Sequence, residues 1–268
     1  MIAHRKPVVV GVSPTDSAND VVAWGAREAQ LRRRPLRLVH AHEFAPGSTA
    51  SPAAARLAYR DAAGWMRGQR AYAARLLPDG EVETTVLDGS WVEVLLQQAP
   101  DADMLVVGSG DEWRTDGLAI ARDVQLVAHA GVPVIVVRGG GQPGAAARRV
   151  VVGCGDGDPP DVLLAAAFDE ADRRGAVLMV VRSRSTEDVP READVLGGWY
   201  AKYPHVAAGL RVCHEPPAAA LVDASRAADL VIVGSRGAGG FAGLRLGSVT
   251  DAVLRHAACP VLVVPVER

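Results

Sequence analysis

The residues best suited to chemistry sit in one loop. Gly234-Ser235-Arg236-Gly237-Ala238-Gly239-Gly240-Phe241-Ala242-Gly243-Leu244-Arg245-Leu246-Gly247-Ser248 carries six glycines. Without a Cβ, such a backbone can turn sharply and approach a ligand closely. Gly247-Ser248 then opens a segment with helical periodicity. The free N–H groups and positive dipole end of a helix suit a phosphate, and the Ser248 hydroxyl adds a donor. Arg236 and Arg245 are the cations at hand. The loop is neither a Walker A sequence nor a Rossmann fingerprint, because no Lys-Ser or Lys-Thr follows the glycines. Strand-to-helix loops also use glycine merely to turn, and composition alone leaves both readings open.

Other chemistry is sparse. The histidines do not cluster with carboxylates; His40 and His42 form an H-x-H pair without further ligands, so no metal site is expected. His129 and His256 close two helices at matching positions, which favours a structural role beside the negative dipole end. No nucleophile elbow or Cys–His motif stands out. Cys154, Cys213 and Cys259 each lie in or beside a strand-like run and read as reduced core thiols. Trp199, Tyr200 and Tyr203 have helical spacing and read as packing or a contact surface. Arg32-Arg33-Arg34 reads as a solvated helix end. A formal net charge of −2 points to neither nucleic acid nor an anionic membrane. No run approaches the ~20 apolar residues needed to span a bilayer, and no apolar signal region precedes Val8, so a cytoplasmic location is expected.

The elements that must position the loop repeat. Strands are expected over 7–12, 36–41, 81–87, 104–108 and 133–138, with helices over 19–33, 53–77, 90–99 and 123–130 between them. From Arg149 the order recurs: strands over 149–153, 176–181, 210–213, 229–234 and 260–264, helices over 158–174, 191–203, 217–227 and 248–256. Ser90 and Glu93 have capping-box spacing, and Asp158 with Pro159-Pro160 reads as a helix start. Ala102-Asp103-Met104-Leu105-Val106-Val107-Gly108-Ser109 matches Ala228-Asp229-Leu230-Val231-Ile232-Val233-Gly234-Ser235. With 49% hydrophobic residues but only 4% aromatic, the core is built from small aliphatics, as in parallel sheets buried on both faces. The reading is α/β, two tandem domains (1–140 and 147–268) about the linker Gly139–Gly144, with ligands expected beyond strands one and four.

The spacing Gly234, two residues, Gly237, nine residues, Gly247-Ser248 resembles the ATP-binding signature of the universal stress protein family. The flanking Ala228–Ser235 and Cys259–Val264 agree; the likeness is strong over the second copy and weaker over the first. The resemblance implies two Rossmann-like (adenine nucleotide hydrolase-like) domains, each with a five-stranded parallel sheet in the order 3-2-1-4-5. It implies phosphates on Gly237, Gly247, Ser248 and Val249, ribose near Gly234 and adenine near Val181. The ligand would be ATP, with or without Mg²⁺, or another adenine nucleotide. It further implies pairing through the strand-five edges, a homodimer, and a non-catalytic stress-response regulator with an unknown protein partner. The alternatives are a nucleotide-independent interaction module or a weak ATPase. The family's Asp after strand one is replaced: Asp156 is a candidate ligand by a one-residue slip, or a turn former. In the first copy Ser13 stands there, Asp111 replaces the second motif glycine, and Ile120-Ala121 or Ala121-Arg122 stands for Gly-Ser, so that copy is expected not to hold nucleotide the same way.

Overall fold

The computed structural model describes residues 5–43, 52–109, 117–138, 148–155, 160–183, 192–236 and 246–266. The chain forms two compact units, Met1–Gly140 and Gly141–Arg268. The linker, Asp156, Asp158, Gly237 and Asp111 lie outside the described residues.

In the first unit β1 (Val8–Gly11) leads to α1 (Ala18–Arg32), β2 (Leu36–His42), α2 (Pro52–Leu76), β3 (Val82–Asp88), α3 (Trp91–Gln98), β4 (Met104–Gly108), α4 (Gly117–His129) and β5 (Val134–Val137). All pairs are parallel: β1 lies between β2 and β4, β3 flanks β2, and β5 flanks β4. Val8, Val9 and Val10 have no exposed surface, which explains the unbroken valine run of a strand covered on both faces. Successive strand residues point to opposite faces. Gly25 of α1 packs on Val10, whereas Gly11 faces Trp91 and Leu95 of α3, so α1 and α3 cover opposite faces of the sheet. A Cβ on Gly11 would lie 2.5 Å from the Trp91 ring, so only glycine lets α3 cross there. The expected capping box is present: the Ser90 side chain accepts from Glu93 N–H, and the Glu93 carboxylate accepts from Ser90 N–H.

The second unit comprises β6 (Arg149–Cys154), α5 (Asp161–Arg174), β7 (Val177–Ser183), α6 (Glu192–Lys202), β8 (Ala208–Cys213), α7 (Pro217–Ser225), β9 (Leu230–Gly234), α8 (Ser248–His256) and β10 (Val261–Val264). β6 lies between β7 and β9, with β8 outside β7 and β10 outside β9, again all parallel. Gly153, which repeats Gly11, takes Leu221 of α7 against its Cα.

Two helix starts differ from expectation. α5 begins at Asp161, not at Pro159: Pro160 has ψ 131° and is itself the N-cap. Proline has no N–H to donate and its φ is fixed at about −65°, which suits the boundary of a helix. α4 begins at Gly117, six residues before Asp123. Counted back from the matching closing histidines, Ala121 corresponds to Ser248, so α4 carries one additional turn, Gly117–Ile120, that α8 lacks. Ile120-Ala121 and Ala121-Arg122 therefore lie within a helix rather than at its start.

The arginine run is not simply solvated. Arg32, 12% exposed, pairs with fully buried Glu28 at 3.4 Å and approaches Asp103 at 3.8 Å, while Arg34 pairs with Asp103 at 3.2 Å. The second unit repeats the device on its equivalent helix, α5: Glu170 pairs with Arg174, both 2% exposed, and with Arg173. The aromatic cluster is packing. Buried Phe168 stacks on Trp199 at 5.5 Å and on Tyr203 at 5.3 Å, and the Tyr203 hydroxyl donates to Asp169 at 2.7 Å.

All three cysteines are free and buried. Burial pushes the Cys154 thiol up to about 12, with Arg182 pulling the other way. A thiol that ionises near its ordinary 9.0 when unfolded but near 12 when folded opposes folding once the pH passes 9. The unfolded chain then holds fewer protons than the folded one, so stability falls between pH 9 and about 12. The expected result is a lower Tm at pH 10.5 than at pH 8 in thermal melts, with a smaller drop in Cys154→Ala; an equal drop in both would exclude this thiol as a contributor.

Candidate functional site

The described ends of the glycine loop meet. Gly247 N–H donates to Ser235 O at 2.9 Å, closing the loop at its base. The buried Thr250 hydroxyl donates to Gly234 O at 2.7 Å, pinning the first turn of α8 onto the end of β9. The Ser235 hydroxyl accepts from Val266 N–H at 3.1 Å. The strand end, loop base and helix start are thus one hydrogen-bonded unit.

α8 begins with Gly247 as an extended N-cap (φ −73°, ψ 146°) and without a side-chain cap. Glycine offers no side-chain oxygen to the N–H groups of the first turn, so these and the Ser248 hydroxyl stand at the C-terminal edge of the sheet. Free N–H groups at a helix start suit an anion. Gly234 has a packing task as well: a Cβ there would sit 2.9 Å from Val266 Cγ2 and 3.0 Å from Arg236 O.

The other expected site residues are more dispersed. Arg236 is exposed just beyond β9. Val249 lies in the first turn of α8. Val181 is buried on β7 in register with Gly153, separated from β9 by β6. Gly237 and Asp156 fall outside the described residues. Sequence reasoning passed over Thr250 and Arg182. Thr250 shares a helix face with Val253 and Leu254, all buried, and a hydroxyl on an apolar stripe was its signal. Arg182, 3% exposed, was visible as a charge inside an otherwise apolar strand end.

The first unit holds a cavity of about 520 Å³ beyond the ends of β1, β2 and β4. This is the strand-order switch point, where open parallel sheets place ligands. Its floor and walls come from the β1–α1 segment Gly11–Ala18, from His40 and Glu43, from Trp91, and from Arg122 and Asp123. The Glu43 carboxylate ties the rim together, accepting from Trp91 N–H at 2.6 Å and from Arg122 at 3.3 Å. His40 Nδ1 lies 2.9 Å from Val12 O; a carbonyl only accepts, so the proton is on Nδ1. His40 thus serves backbone and packing, its ring edge-on to Trp65 at 5.4 Å. No group of three or more potential metal ligands occurs among the described residues, and no helix among them is long and apolar enough to cross a membrane.

The sequence pattern of the universal stress protein family matches residues 4–138 and 195–265. The match runs through the first unit and begins at residue 195 in the second, although the loop signature itself lies in the second. The chain is similar to a universal stress protein of Mycobacterium tuberculosis strain H37Rv, with 31% identity over 290 residues covering 96% of this chain and 95% of the relative. A second universal stress protein of that strain is 33% identical over 288 residues, with 96% of each chain covered. A solved universal stress protein from Archaeoglobus fulgidus shares the fold, with a TM-score of 0.77 and 14% identity, covering 98% of this chain and 97% of that one. Carrying the family pattern over most of its length, and matching relatives of its own size from end to end, the chain belongs to the universal stress protein family.

Proposed function

We propose that the second unit binds an adenine nucleotide, ATP first among them, on the loop from Gly234 to Val249, and that occupancy regulates a partner rather than driving turnover. The observation that carries this reading is the start of α8: uncapped by a side chain, opened by Gly247-Ser248, and drawn against Ser235 by the 2.9 Å backbone hydrogen bond. Phosphate oxygens would accept from the first-turn N–H groups and the Ser248 hydroxyl. Gly237 and Arg236 complete the phosphate contacts on sequence grounds, Val181 borders the adenine, and Asp156 is the candidate for ribose or Mg²⁺. Binding would shift the population of a surface that a partner reads. The three buried thiols fit a reducing, cytoplasmic setting.

The first unit is silent toward ATP in this reading. Its α4 extends one turn beyond the position where α8 starts, so its free N–H groups are displaced. Its loop also carries Asp111, Glu112 and Asp116 in sequence. Native mass spectrometry of the chain saturated with Mg-ATP is expected to show one nucleotide per chain. Two equivalent sites would overturn the silent first unit. A chain that stays empty would instead leave a nucleotide-free interaction module.

A further inference from the structure

We infer that the outer edge of β3 is a docking surface for a second copy of this chain, the two β3 strands pairing antiparallel about a two-fold axis at Thr85. In the first unit β3 pairs with β2 and has no strand on its other side. Leu36 N–H donates to Glu81 O and Gly89 N–H donates to His42 O, so the odd-numbered residues of this segment serve β2. Alternate residues of a parallel ladder face away from the neighbour, which turns the N–H and C=O groups of Val82, Thr84, Val86 and Asp88 outward. Arg70 Nε donates to Val82 O at 3.0 Å. Among the described residues no other side chain bonds to that outward row.

The corresponding edge of the second unit is closed. β8 holds the place of β3, with Ala208 at the register position of Val82. The Tyr200 hydroxyl lies 2.6 Å from the Glu192 carboxylate and 3.1 Å from Ala208 O. The other Glu192 oxygen accepts from Leu210 N–H at 3.1 Å. Two side chains of α6 therefore occupy an outward acceptor and an outward donor of β8, as an added strand would. An open edge is a template for pairing, and proteins blunt it with lysine, proline or a cover. The sequence of β3, Val-Glu-Thr-Thr-Val-Leu-Asp, contains neither lysine nor proline and favours a strand.

Charge complementarity selects a second copy as the occupant. With the axis at Thr85, Thr84 stands opposite Val86 of the second copy, and Val82 stands opposite its Asp88. The outward N–H groups of Thr84 and Val86 then each meet a carbonyl of the other chain. β-branched residues face one another at the centre, which is a favourable cross-strand pairing. Gly11, which faces α3, is in register with Val39, and Val39 with Thr85. Even-numbered residues of β3 therefore point to the opposite face, where α1 and α2 pack together. Arg70 of α2, seated on Val82 O, is brought beside the exposed Asp88 of the second copy, and the two-fold repeats that exchange. Glu83, held by Arg37 at 3.0 Å, stands opposite Leu87 and not another carboxylate. Such a contact is isologous and closes after two copies. One pair of strands is a small interface, so the dimer is weak, dissociating at about 10–100 μM.

The test is sedimentation velocity of the full chain, without nucleotide, from about 1 to 500 μM. The parent is expected to pass from monomer to dimer across that range. Thr84→Pro deletes an outward N–H that β2 does not use, so the strand is kept and the dimer weakens by about tenfold or more. Thr84→Val keeps that N–H and is expected to leave the association within about twofold of the parent. Asp88→Arg sets two cations against each other and is expected to weaken the dimer by about tenfold; adding Arg70→Glu exchanges the charges and recovers most of the loss. The charge exchange leaves the strand backbone untouched, so it decides the matter if Thr84→Pro fails to fold. A parent still monomeric at about 500 μM would overturn the proposal. So would a dimer indifferent to a folded Thr84→Pro, which is joined elsewhere, or an Asp88→Arg loss that Arg70→Glu does not recover.

Discussion

Ser248→Asp is expected to fold as the parent chain does and to lose ATP by about 100-fold or more. The two halves of this result come from the same physics. Ser248 is the first helical residue of α8, where an acidic side chain interacts favourably with the dipole and stabilises by about 0.3–1 kcal/mol. The new carboxylate also stands beside the N–H groups that a phosphate would use. Two unit charges about 4 Å apart repel by about 4 kcal/mol at an effective dielectric of 20, which more than covers a 100-fold loss. Ser248→Ala is the milder companion. It deletes one hydroxyl donor and should weaken ATP by only about three- to tenfold, the net worth of a single hydrogen bond. Calorimetric affinities and thermal melts of the two variants separate charge from hydrogen bonding. Unchanged ATP affinity in Ser248→Asp would remove this helix start from the nucleotide site.

Glu170→Ala is expected to cost about 3–5 kcal/mol of stability, a large share of the 5–15 kcal/mol typical of a folded domain. Glu170 and Arg174 are each 2% exposed, and Glu170 also takes a hydrogen bond from Arg173 at 3.2 Å. Removing the carboxylate strips a buried guanidinium of its counter-charge, and the desolvation already incurred is no longer offset. The same logic gives the double variant the opposite outcome. Glu170→Ala with Arg174→Leu removes both charges and should recover most of the loss, because apolar replacement of a buried pair is often neutral. Urea unfolding of the single and double variants checks both statements. A single-variant cost below about 1 kcal/mol, the range of surface pairs, would show that the pair is screened by water. Glu28 and Arg32, at the corresponding place in the first unit, are expected to behave alike.

These pairs mark a boundary of sequence reading. Glu28 with Arg32 and Glu170 with Arg174 are spaced i,i+4, the same spacing as the half-exposed pair of Asp251 with Arg255. Nothing in the spacing distinguishes a buried pair from a solvated one; the neighbours packed over it decide. The start of α4 belongs to the same class. A polar run between Ser109 and Gly117 carries no periodicity, and the additional turn Gly117–Ile120 follows it directly.

What the sequence determined by itself is the repeat, the alternation of strand and helix, the valine strands at the centre of each unit, the capping box at Ser90 and the burial of the cysteines. Each depends on local composition and on periods of two or 3.6 residues, and a linear text records those directly. The glycine loop was equally visible as a motif, and its two described ends are joined through Gly247, Ser235 and Thr250. Only the tertiary structure decided that the first unit has a crevice at all. Its walls come from residues 11–18, 21, 40, 41, 43, 91, 108 and 122–123, brought together by the crossovers of a parallel sheet. No short window of sequence contains that surface, because the strands that assemble it are neighbours in space and strangers along the chain.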